Sequence, residues 1–127
     1  MILEIETRAR REMVDITARV AAAAATGAGS AALCHVFVPH TTAAVVVNES
    51  ADPDVARDLI AAYAAMVPAL RFAHAEGNSD AHLLATLLGS SVTVPVAGGR
   101  LRLGTWQGIF FVELDGPRAR RVEITCR

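Results

Sequence analysis

A chain of 127 residues has the size of one ordinary domain, which excludes a two-lobed enzyme with its cleft between domains. Hydrophobic residues supply 53% and charged residues 20% of positions, with 25 alanines and few aromatics, so the core of this folded chain is aliphatic. All 12 cations are arginine. The absence of lysine removes Schiff-base chemistry, a lysine base and a phosphate-loop lysine, and a net charge of -1 argues against nucleic acid or an anionic membrane as partner.

Ile2 to Thr7 alternates apolar and polar residues with the period of a half-buried strand. From about Arg11 to Ala25, the residues Val14, Ile16, Val20 and Ala24 share one helical face, and Gly27 and Gly29 are the expected stop. Arg8, Arg10 and Arg11 stand near the start of that helix and oppose its dipole, which calls for plain solvent exposure or an acidic partner. The N-terminus has no basic leader region and no apolar run approaches about 18 residues, so the expected compartment is the cytoplasm.

Ala31 to Val38 and Ala43 to Asn48 are β-branched-rich strands around the polar corner Pro39-His40-Thr41-Thr42. Asp52-Pro53-Asp54 starts a helix, because an aspartate accepts from free first-turn amides and proline loses none there. Val55, Leu59, Tyr63 and Met66 form its expected buried stripe. Pro68 to Asn78 has no period and leads into a short helix, Ala81 to Leu88, ended by Gly89.

The remainder reads as strands: Ser91 to Val96, a Gly98-Gly99 turn, Arg100 to Leu103, Gly108 to Leu114, an Asp115-Gly116-Pro117 turn, and Arg120 to Cys126. Early helices and adjacent late strands indicate a single compact α+β domain with a largely antiparallel sheet and two to three helices. Cys34 and Cys126 lie in apolar strand-like runs without CxxC spacing, and the expectation is two buried thiols.

His40, His74 and His82 occupy polar corners or a helix start, whereas His35 lies inside a strand. Three imidazoles from separate segments are a candidate zinc set, although no HExxH or HxH pair supports it, and hydrogen bonding to loop backbone is the plainer reading. His82 is expected in the first turn of a helix, near the positive end of the dipole, a place that favours the neutral imidazole a metal requires, while the same turn's free amides could instead receive a phosphate. Asn48 and Glu49 place an amide beside a carboxylate, able to orient a substrate and move a proton, or simply exposed before a helix. Trp106 and Gln107, between Gly104 and Gly108, either line a ligand or pack. Arg100 and Arg118 follow turns where a guanidinium can grip phosphate, or be solvated.

Three long strings, VPHTTAAVVVNESADPDVARDL at 38 to 59, EGNSDAHLLATLLGSSVTVPV at 76 to 96 and GRLRLGTWQGIFFVELDGPR at 99 to 118, resemble the YjbQ family, also labelled secondary thiamine-phosphate synthases. The resemblance runs nearly end to end. It implies a compact α+β fold, a homotrimer with polar motif residues near subunit boundaries, and the approach of His40, His74 and His82 as a metal site. The divalent metal would be zinc, or magnesium with a pyrophosphate substrate.

The implied reaction joins hydroxymethylpyrimidine pyrophosphate to a thiazole phosphate and releases pyrophosphate. It needs charge neutralised on the leaving group and the thiazole nitrogen held in line with the methylene carbon. His82, Asn48 and Glu49 would be catalytic, and Thr41, Thr42, Arg100, Trp106, Gln107 and Arg118 would bind the phosphorylated small molecule. The resemblance breaks at Leu84, where relatives commonly carry a lysine. A zinc-dependent hydrolase with Glu49 as base, or a trimeric metabolite-binding module without turnover, are the other readings.

Overall fold

A computed structural model describes residues 1–26 and 31–127. In chain order the elements are β1 Ile2–Glu6, β2 Glu12–Asp15, α1 Thr17–Thr26, β3 Leu33–Phe37, β4 Ala43–Glu49, α2 Pro53–Met66, α3 Ser79–Leu88, β5 Ser91–Ala97, β6 Arg100–Leu101, β7 Gln107–Glu113 and β8 Ala119–Cys126. The strands divide between a five-stranded sheet, ordered β1-β8-β3-β5-β6, and a three-stranded sheet, β2-β7-β4. Every pairing is antiparallel.

The two sheets face each other across the main core, in which Leu3, Ile5, Val36, Val94, Val122 and Ile124 of the larger sheet meet Val45, Ile109 and Phe111 of the smaller. Val20, Ala23 and Ala24 of α1 join this layer. The other face of the small sheet carries Ala44, Val112 and Leu114 against Tyr63 of α2 and Ala81, Leu84 and Ala85 of α3. β7 is therefore covered on both faces, which is why its sequence is a continuous apolar run where β1 alternates. The result is the single α+β domain that the pattern implies.

The expected helix from Arg11 is shorter than its apolar period suggests. Glu12–Asp15 instead pairs with β7, and α1 begins only after Asp15, whose Oδ1 accepts from the Thr17 amide at 2.8 Å. Met13 and Val14 fit both a helical and an extended period, and the open edge of β7 decides for the strand. The stop expected at Gly27 and Gly29 falls outside the described residues. Arg10 and Arg11 find the acidic partner: both pair with Asp80 in the first turn of α3, tying the β1–β2 connection to that helix.

Asp52 caps α2 as its sequence position demands, its Oδ1 accepting from the Asp54 amide at 2.9 Å. The buried stripe is narrower than expected, because Met66 lies exposed and only Tyr63 of the four is buried. Gly98 and Gly99, at φ 57° and 73°, form the tight turn between β5 and β6, a conformation strained for any residue with a Cβ.

The thiol expectation is corrected. Cys34 of β3 and Cys126 of β8 lie directly opposite each other and form a disulfide, across 92 residues of sequence. Strand register brings them together, and no sequence spacing encodes that register. Among the described residues no helix is long and apolar enough to cross a membrane.

Candidate functional site

β4 and β7 run antiparallel through the small sheet, pairing Ala43 with Glu113 at one end and Glu49 with Gln107 at the other. Ala43 and Glu49 are six strand steps apart, about 20 Å at about 3.3 Å per residue. The residues singled out in the sequence divide between these two ends.

At the first end, one pocket of about 450 Å³ is lined by His40, Thr41, Thr42, His74, Glu76, Asn78, His82, Arg118 and Arg120, with Pro39. Four separate segments supply it: the β3–β4 corner, the loop before α3, the first turn of α3, and the β7–β8 turn. The His74 and His82 rings meet edge to face with centroids 5.6 Å apart, and His74 Nε2 lies 3.9 Å from the Glu76 carboxylate. His40, Thr41 and His82 also border a neighbouring pocket of about 360 Å³ completed by Ala43, Ala85, Thr86, Gly89 and Ser90.

His40 has a specific local task. Its Nε2 accepts the Arg121 backbone N–H at 3.0 Å, so the neutral ring carries its proton on Nδ1. Burial first, then the nearby charge of Arg120, lowers its pKa from the ordinary value, and the ring is neutral at pH 7.

A neutral imidazole has one lone pair. His40 ligates a metal only by releasing the Arg121 amide. Two imidazoles and a carboxylate, from His74, His82 and Glu76, are donors of the kind that zinc accepts, although among the described residues no three His, Cys, Asp or Glu side chains stand together in ligating arrangement.

Behind the pocket lies a network that none of the sequence motifs points to. Glu113, fully buried, accepts from Arg120 Nε at 2.9 Å and Nη2 at 2.6 Å, from Thr7 Oγ1 at 2.9 Å, and from the Leu114 and Asp115 amides at 3.0 Å each. Burial alone would raise its pKa, but these hydrogen bonds and the Arg120 charge outweigh it and hold the carboxyl below its ordinary value.

Arg120 in turn donates to Thr42 Oγ1 at 2.8 Å and to the Thr42 carbonyl at 3.3 Å, fixing the corner that carries His40 and Thr41. Asp115 extends the network, accepting from Asn78 Nδ2 at 2.9 Å and from Arg118 at 3.1 Å. One signal for it is present in the sequence: a single acid inside an otherwise apolar strand must have a buried partner.

Asn48, Glu49, Trp106 and Gln107 gather at the second end. Asn48 Oδ1 accepts its neighbour Glu49's amide at 2.7 Å, and Gln107 Oε1 accepts the Gly104 amide at 2.8 Å. Trp106 is 63% exposed. Glu49 borders a separate pocket of about 560 Å³ with Asp15, Ser50, Asp52 and Phe110. Arg100 stands on the β5–β6 hairpin, at the end of β5 away from Ser91 and the histidine pocket. Within this chain, then, His40, Thr41, Thr42, His74, His82 and Arg118 come together, whereas Asn48, Glu49, Arg100, Trp106 and Gln107 do not join them.

Leu84 is 1% exposed and packs with Ala44, Tyr63, Val112 and Leu114. The position faces the sheet, not the pocket that His82 borders, so a lysine there would begin inside an apolar cluster.

A family model described as UPF0047 protein YjbQ-like matches residues 1–127. The UPF0047 protein YugU of Bacillus subtilis is 46% identical over 121 residues, 93% of this chain and 91% of that protein. A UPF0047 protein of Methanocaldococcus jannaschii is 45% identical over 118 residues, 92% of this chain and 86% of that one. Among solved structures, an uncharacterized conserved protein of the YjbQ/UPF0047 family from Clostridium acetobutylicum superposes with a TM-score of 0.96 at 41% identity, over 100% of this chain and 99% of its own. A conserved hypothetical protein from Thermus thermophilus gives 0.90 at 43% identity, over 100% and 99%. With a family model matching the whole chain, relatives at 45–46% identity over most of its length and the same fold in solved members, the chain belongs to the YjbQ/UPF0047 family.

Proposed function

We propose that the chain is a cytoplasmic transferase of the secondary thiamine-phosphate synthase type, joining hydroxymethylpyrimidine pyrophosphate to a thiazole phosphate and releasing pyrophosphate. The observation that carries this reading is the convergence of three histidines, an arginine turn and two threonines from four segments on one pocket. Such a pocket offers many donors to a phosphorylated ligand and little apolar surface.

In the reaction the thiazole nitrogen forms the new bond to the methylene carbon as the carbon–oxygen bond breaks, and the departing pyrophosphate oxygen takes the electron pair. Arg118 and the Thr41 hydroxyl donate hydrogen bonds to that growing charge. His82 borders both pockets, and an imidazole N–H from it would hydrogen-bond the departing oxygen. Asn78 and Glu113 hold the α3 start and the Arg118 turn in place, through Asp115 and the buried carboxylate. A divalent ion, zinc or magnesium, held by His74 and His82 beside Glu76, with His40 as a further ligand if it frees its lone pair, would supply charge neutralisation for pyrophosphate.

Asn48, Glu49, Trp106 and Gln107 act on the same substrate only if a second copy supplies them, which is the reason to propose a homotrimer with the site at its subunit boundaries. Their exposure supports this: neither Asn48 nor Trp106 is covered by its own chain. The hydrolase reading also requires a second copy to bring Glu49 beside the metal, and it differs in needing no second organic substrate.

The test is product formation by purified protein supplied with both substrates, alongside elemental analysis. Product should require both substrates, and His82→Ala should lower the rate by about 100-fold or more. Unchanged rate and unchanged metal content in that variant would refute the assignment.

A further inference from the structure

Resting on that reading, and naming the group that grips the anion, we infer that Arg120 is the fixed oxyanion-binding residue of the histidine pocket. Arg118, the arginine that the turn pattern points to, is a secondary contact.

The two guanidiniums are used asymmetrically. The Arg118 side chain is 50% exposed and its one protein partner among the described residues is Asp115. Arg120 is the reverse, with a side chain only 4% exposed. Its Nε and Nη2 are saturated by Glu113 and Thr42. Its Nη1 has no protein partner among the described residues, yet is not fully enclosed by protein, and Arg120 lines the pocket. We assign the small remaining exposure of this pocket-lining side chain to Nη1 and its two N–H donors.

Donors that face the cavity bond water, which an oxyanion displaces on binding. Here Glu113 has already removed the freedom of the side chain, so the donors are aimed before any ligand arrives. The chemistry that fits is a tetrahedral oxyanion, a terminal phosphoryl group or free phosphate.

The charge arrangement sharpens the inference. Arg120 is matched by Glu113, Arg118 by Asp115, and Arg10 and Arg11 by Asp80. Net positive charge at the pocket is small, so recognition is by directed hydrogen bonds and responds only weakly to salt. A lysine at position 120 keeps the charge but not the planar fork, and loses the aimed Nη1.

The experiment uses the intact protein and inorganic phosphate as probe, followed by calorimetry and by side-chain NMR of arginine-labelled protein, with Arg118→Ala to assign the signals. Wild-type protein should bind phosphate with the Arg120 guanidinium signals shifting. Arg120→Lys should weaken binding by about tenfold or more, and Arg118→Ala by less than about threefold. Because Arg120→Lys disturbs a buried pair, its fold is checked by circular dichroism, and the wild-type shifts decide if it fails to fold. Phosphate binding that shifts Arg118 but leaves Arg120 unmoved overturns this inference while leaving the proposed function standing. No phosphate binding at tens of millimolar removes both.

Discussion

The two ends of the β4–β7 pair are built from the same two strands and differ in what stands behind them. At the histidine end, each loop is tied to a buried charge: Thr42 to Arg120, Arg120 to Glu113, and the Asp115 turn to both Glu113 and Asn78. At the tryptophan end, the polar side chains bond to backbone a few residues away, and Trp106 lies in solvent. The first end is organised by one chain alone; the second is organised only locally. Polar residues held by buried anchors are already positioned for chemistry, and exposed ones are held only by their near neighbours.

Substitutions that break the comparison should be strongest at the anchored end. Glu113→Leu leaves Arg120 buried without its carboxylate, and denaturant unfolding should show a loss of about 3–5 kcal/mol. The equivalent test at the other end, Trp106→Ala, should change stability by less than about 0.5 kcal/mol, since little of that side chain is covered.

Two glycines offer a matched pair. A Cβ at Gly116 would meet the Ala9 carbonyl at 2.5 Å and Glu113 Cγ at 2.7 Å, groups that backbone and a buried network hold still. One at Gly108 would meet Ser50 Cβ at 2.6 Å and Thr17 Oγ1 at 2.9 Å. Ser50 Cβ moves only with a backbone whose N–H donates to the Trp106 carbonyl, and Thr17 Oγ1 accepts the Ile109 N–H, so Gly116→Ala and Gly108→Ala should each cost about 2–3 kcal/mol, measured by the shift in unfolding midpoint.

The smallest effect is one of pH. His40 is held below its ordinary value of 6.5, so as pH falls through about that value the unfolded chain takes up a proton that the folded ring resists. Stability therefore falls from pH 6.5 downward until the folded ring also protonates. His40→Gln should remove that slope. Glu113 adds a separate acid limb: its carboxyl lies below the ordinary 4.5, so its contribution is present above that value and lost as pH falls through the folded one. Unfolding curves between about pH 7.5 and about pH 2 separate the two.

Much of this arrangement is legible in the residues. The Asp52 cap, the Gly98-Gly99 turn and the polar corner at His40 are set by local chemistry, and each is found in place. What escapes a reading of the chain is what depends on register. The opposition of Cys34 and Cys126, the strand at Glu12–Asp15 and the separation of Glu49 from His82 all follow from which strand pairs with which, across long stretches of chain. The Glu113–Arg120 pair is half visible, since an acid in an apolar strand announces a partner without naming it.

The central claim is that the histidine end, and not the tryptophan end, handles the phosphorylated group. Side-chain NMR tests it in one titration, because the chain has four histidines and a single tryptophan. On adding inorganic pyrophosphate to the wild-type protein, the His74 and His82 ring signals should move by more than the Trp106 indole N–H. A moving indole with silent imidazoles would contradict the account.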